Sequence, residues 1–229
     1  MKLVTTILAL SLVICSYSQK IKVNGFNRDF EKYRNAENFD YIHEDFDTTK
    51  LTWIATLTIQ FDTVVPGMIG ECFKELKEKS NRFGANSFMV EESDIYTTTE
   101  EKFIKISCYW NRMEHRAENL SLFKDTKVYL VGFLGYHSSI DGYDVTIDGE
   151  TLLVGELSYY EYEYEAGDKV HLRLGSKSRG AEKYIYMEAK EYPKFYYFTL
   201  VKGSYKNAWI DEYSPSFGIY LTKILRKAS

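Results

Sequence analysis

Proline is nearly absent from this chain, 3 residues in 229, and so a proline-rich linker is excluded. The 20 Tyr and 14 Phe point instead to ordered, strand-forming sequence. Cysteine is as scarce, 3 in all, which excludes a disulfide-dense scaffold, and no two lie in a C-x-x-C pair. Neither sign of charge dominates: 29 Lys and Arg face 33 Asp and Glu, for a net charge of −4. No basic block stands out, so nucleic acid is not an expected partner. Missing too are a G-x-S-x-G elbow, a P-loop and a dinucleotide fingerprint. His43, His115, His137 and His171 sit far apart, and none falls in an H-x-x-x-H spacing. His137, Ser138 and Asp141 share one short loop, which does not suit the base-to-nucleophile geometry of a triad. His43, Glu44, Asp45 and Asp47 read as a solvated acidic loop rather than metal ligands. The chain is therefore read as a non-enzyme with no catalytic residues, no metal site and no cofactor.

Only one long apolar run is present, and it opens the chain. Lys2, the apolar residues 3–15, and Ser16 and Ser18 form the three parts of an export signal, with cleavage expected before Gln19. The rival is a lipoprotein signal leaving Cys15 lipidated, against which stands the bulky Ile14 where a small residue is wanted. No later run approaches the ~20 apolar residues of a membrane-spanning helix. The expectation is a protein exported to the periplasm or cell surface, with no transmembrane segment once residues 1–18 are gone.

Five parts follow from the patterning: the signal (1–18), an N-terminal arm (19–50), a β-α-β-β domain (51–111), a connector (112–126) and a β-sandwich domain (127–229). The predicted fold class is α+β. Residues 51–61, LTWIATLTIQF, alternate strictly, with Leu51, Trp53, Ala55, Leu57, Ile59 and Phe61 on one face. Ile69, Cys72, Phe73, Leu76, Ser80 and Phe83 then recur at helical steps, and Gly84 sits where a left-handed residue ends a helix. Strands at 87–92 and 103–110 follow, and strand–helix–strand order predicts a parallel crossover. The connector carries a weak helical spacing of Met113, Ala117 and Leu120. Beyond it lie short strands, among them 217–225, and Asp148-Gly149 is the dipeptide of a type I′ hairpin.

Two constellations are candidate sites. Cys72 and Cys108 lie on inward faces and are either a disulfide, as an oxidising compartment favours, or two buried thiols. Residues 203–216, read as a long loop, carry Tyr205, Trp209 and Tyr213, candidate contacts to a glycan. Tyr160, Tyr162 and Tyr164, alternating with Glu161, Glu163 and Glu165, read as the inward side of a half-buried strand.

Leu76, Ser80, Gly84, Ala85 and Asn86 match a helix-Gly-Ala-Asn pattern. In this the first half resembles small exported bacterial domains, a group that includes the stress-sensor lipoprotein of the Rcs phosphorelay. Val145, Ile147, Asp148, Gly149, Tyr164, Ala166, Gly167 and Val170 carry a second resemblance, to a bacterial PEGA-like β-sandwich family of unknown function. Both imply fold rather than activity. The resulting expectation is a non-catalytic envelope or cell-surface protein working through protein–protein contact in assembly or sensing; the alternative is a glycan-binding module.

Overall fold

The computed structural model describes residues 20–30, 38–62, 64, 66–98, 101–132, 142–155, 157–176, 181–188, 190–201 and 204–228. The expected signal and the loop of His137, Ser138 and Asp141 lie outside these.

The first sheet has the order β1-β3-β5-β4-β2, built from β1 (Lys20–Phe26), β2 (Asp40–Tyr41), β3 (Thr52–Phe61), β4 (Ser87–Asp94) and β5 (Lys102–Trp110). β5 is antiparallel to both β3 and β4, so those two run parallel with β5 between them. The crossover between them is α1 (Pro66–Phe83). Ile69, Cys72, Leu76 and Ser80 on its inner face are fully buried. Gly84, at φ 92, ends it. Ala85 N–H donates to Ser80 C=O at 3.1 Å and Gly84 N–H to Asn81 C=O at 3.0 Å, the paired bonds of a Schellman ending. Asn86 then pairs with the end of β5: its amide donates to Asn111 C=O at 2.8 Å and accepts from Asn111 N–H at 2.7 Å.

The strict alternation expected of β3 fails at one point. The β3–β5 register shifts between Trp53 and Ala55, leaving Ile54 as an extra residue. This bulge turns Trp53 outward, 38 % exposed, and puts Ile54 in the core.

After α2 (Met113–Ser121), two further sheets follow. One has the order β11-β10-β7-β8, from β7 (Gly142–Ile147), β8 (Glu150–Gly155), β10 (Lys169–Ser176) and β11 (Ala181–Glu188). The other has the order β13-β12-β6-β9-β14, from β6 (Lys127–Val131), β9 (Ser158–Glu163), β12 (Lys194–Val201), β13 (Ser204–Glu212) and β14 (Arg226–Lys227). β7 and β8 join through Asp148 (φ 46) and Gly149 (φ 98), the two positive φ values of the expected type I′ turn. Val128, Leu130 and Tyr196 of one sheet meet Val145, Ile147, Val154, Val170 and Leu172 of the other, with Tyr160, Tyr162 and Tyr164 packed against them.

Two expectations are corrected here. Residues 204–212, where the sequence predicts a loop, are β13 hydrogen-bonded to β12, so the aromatics there belong to a sheet. Residues 217–225, where the sequence predicts a strand, lie mostly in α3 (Pro215–Ile224). An unbroken apolar run carries no period to separate helix from strand, and the deciding signal is Pro215 at the first helical position.

α3 also joins the halves. Phe217 and Tyr220 reach Phe73 of α1 at 4.8 and 5.0 Å between ring centroids, and Tyr220 is fully buried. One continuous apolar cluster accordingly contains β3, β5 and α1 residues together with Val131, Phe195 and Leu221. The fold is α+β.

Candidate functional site

α2 is oriented polar side inward. Asn119, 4 % exposed, donates from its amide nitrogen to Tyr41 C=O at 2.9 Å and accepts from His43 N–H at 2.8 Å. Both are backbone groups at the outer edge of β2, so one side chain does what a further strand would do and closes that edge. Arg116 Nε donates to Asp40 Oδ2 at 2.7 Å on the same side, and Lys50 pairs with Glu118 at 2.5 Å. The apolar stripe is left facing solvent: Met113 is 84 % and Leu120 52 % exposed, with Ala117 exposed between them.

That stripe runs into a cleft of about 570 Å³ between α2, the 191–193 turn and the start of α3. Its walls include Leu120, Phe123, Tyr192, Pro193 and Ile219, and the Arg116–Asp40 pair and Ser214 and Ser216 give it polar edges. A second hollow of about 270 Å³ lies across Phe123 and Pro193, against His43, Glu44, Asp125, Tyr129 and Lys223. Here the titratable groups are matched to structural partners. Lys223 hydrogen-bonds Glu44 at 2.5 Å and holds its carboxyl below the usual range. His43 Nδ1 accepts from Asp45 N–H at 3.1 Å, and Tyr129 O–H donates to Asp125 at 3.4 Å. Burial raises both Asp125 and Tyr129 above their ordinary values, in spite of Lys127 at 3.7 Å from Asp125. Thr222, the hydroxyl on this wall, donates to Ile219 C=O at 2.8 Å and so is not set against a base.

Among the described residues no three His, Cys, Asp or Glu side chains converge as metal ligands. Asp47, one of the acidic loop residues, caps the 3₁₀ turn Thr48–Lys50 through Thr49 N–H. No helix among the described residues is long and apolar enough to cross a membrane.

The structure separates the residues singled out from sequence. Cys72 and Cys108 are buried thiols and no disulfide joins them. Cys108 Sγ lies 3.1 Å from Ser80 Oγ, two helical turns or about 12 Å along α1 from Cys72, so the bridge lacks the needed proximity. Burial pushes the Cys108 thiol up to about 12 and raises that of Cys72 as well. Tyr213 stacks on Tyr197 at 4.1 Å and meets Phe217 edge-on at 4.7 Å, a packed rather than offered ring. Tyr205 and Trp209 lie on β13, and their side chains are outside the described set. What sequence reading missed is the cleft itself. The spacing of Met113, Ala117 and Leu120 was legible, but their outward direction is decided by Asn119 and its partners 76 and 78 residues away.

Comparison with protein-family models, with curated proteins and with solved structures finds no match, so the two resemblances rest on their quoted residues alone.

Proposed function

We propose that this chain is an exported, non-catalytic envelope or cell-surface protein, a β-α-β-β unit followed by a β-sandwich, that acts through protein–protein contact in assembly or sensing. The observation that carries the proposal is the inverted α2. A helix that buries Asn119 and exposes Met113 and Leu120 presents an apolar strip beside an apolar-walled cleft, and such patches mark interaction surfaces. The pairing of Arg116 with Asp40, of Lys223 with Glu44 and of Tyr129 with Asp125 favours contact over chemistry. A glycan-binding role is the competing reading, and the packing of Tyr213 leaves it resting on Tyr205 and Trp209.

The test is a photo-crosslinking amino acid at Leu120 of the exported protein, with Leu153 on β8, 64 % exposed, as the control position. A discrete adduct at Leu120 that is missing at Leu153 is the expected result. Equal, diffuse labelling at both positions, with glycan binding that moves Trp209 fluorescence, would replace contact with the glycan reading.

A further inference from the structure

We infer that the partner on the α2 face is a second copy of this chain, docked antiparallel across a two-fold axis at Ala117. This rests on α2 being a contact face, as proposed above, and adds the identity of what covers it. The exposed stripe reads large, small, large: Met113, Ala117, Leu120. Turned end for end, that order superposes on itself. An axis through Ala117 sets each Met113 beside the partner copy's Leu120, while the small central side chain allows the helices to approach closely. Antiparallel alignment also brings each helix's positive end to the other's negative end.

The charges agree with a self-contact. The whole chain carries −4, so two copies repel except through a neutral face. On α2 every ionic group near the stripe is already compensated within its own chain. Arg112 is paired with Glu114 at 4.0 Å, Arg116 with Asp40 at 2.5 Å and Glu118 with Lys50 at 2.5 Å. Such a face neither repels its copy nor selects a charged stranger. Leu122 and Tyr192, each 38 % exposed, extend the apolar surface beyond the stripe. A patch of a few hundred Å², against about 800 Å² per partner in a standard interface, makes the dimer weak and concentration-dependent.

The register gives the test. The mature chain carrying Ala117→Cys is oxidised at high protein concentration, with Met113→Cys and Leu153→Cys as companions. The native thiols Cys72 and Cys108 are buried and stay out of the reaction. Ala117 lies on the axis and Ala117→Cys forms a disulfide-linked dimer. The two Met113 positions stand eight residues of rise, about 12 Å, apart, and Met113→Cys alone does not. In sedimentation the wild type gains mass with concentration; Leu120→Asp loses that dependence while its circular-dichroism melt stays within a degree or two. An Ala117→Cys protein that links no faster than Leu153→Cys, or a Met113→Cys protein that links as fast as Ala117→Cys, overturns the two-fold arrangement. If the photo-crosslinker at Leu120 captures a different protein while Ala117→Cys stays monomeric, the contact face stands and self-association falls. If neither reacts, both fall.

Discussion

Gly218 gives the sharpest test of how the halves are joined. It lies buried inside α3, where alanine would ordinarily improve a helix by about 1 kcal/mol. A Cβ at this position would sit 2.0 Å from Phe195 Cγ, with two more ring carbons at 2.4 and 2.5 Å. Phe195 has nowhere to go, being 1 % exposed and stacked on Tyr129 at 4.9 Å. Either the ring leaves its rotamer or α3 lifts from the sheet, taking the Phe217 and Tyr220 contacts with it. Overpacking of this kind costs about 1–3 kcal/mol, and the backing of Tyr129 places Gly218→Ala at the upper end, about 3 kcal/mol before the helix gain and about 2 after it. For a chain of this length that is a fall in Tm of roughly 4–8 °C. Thermal unfolding followed by circular dichroism measures it. The double variant Gly218→Ala with Phe195→Leu should recover part of the loss, because the smaller side chain vacates the clash. A Gly218→Ala protein that melts at or above the wild-type temperature would refute the close approach, and with it the account of α3 as a wedge seated on Phe195.

Ser80→Cys, facing Cys108 across 3.1 Å, should form a disulfide that the native pair does not; closing that loop raises stability by about 3–4 kcal/mol in the chain-entropy model, and a non-reducing melt no higher than the reduced one speaks against the placement. In the wild type, two thiols should titrate only after denaturation, since burial raises both; rapid alkylation of the native protein would contradict this. Asn119→Leu leaves Tyr41 C=O and His43 N–H without partners and should cost about 2–4 kcal/mol, read by denaturant midpoint. Asp125 has a raised folded value, so its ionised form opposes folding: stability is lost as pH rises through the unfolded value toward the folded one. Asp125→Asn should therefore melt higher than wild type at pH 7 and equal to it near pH 3; a difference that grows on acidification would reverse the sign.

How much of this could be read from sequence depended on how far away the deciding partner lies. α1 was legible along its buried face and at its glycine ending, because these and its exposed charges are set within 20 or so residues; its start was not, since Pro66 and Gly67, which read as punctuation ahead of a helix with no capping residue, are its first two residues. The Asp148-Gly149 hairpin was legible for the same reason, two φ values fixed by two residues. Trp53 was not, since the bulge that turns it outward is a property of the β3–β5 pair, with Asn27 bonding the bulge backbone from β1's far end at 2.7 Å. Nor was α3, whose apolar residues suit a central strand as well as a buried helix until the surfaces that receive them are known. The cleft is the extreme case: the 38–44 segment, α2, the 191–193 turn and α3 all contribute to it, and no local pattern connects them.

The return of α3 to the first half sets an order of events. Phe73 and Phe88 of the first sheet and its helix wait for Phe217 and Tyr220, nearly 150 residues later, to cover them. Up to that moment the early part of the chain carries an uncovered aromatic face and lacks a finished core. A polypeptide wired this way completes its two halves together rather than one after the other, and long-range contacts of that kind slow folding. Such a delay would suit the export proposed above, with the last helix to arrive locking the first sheet.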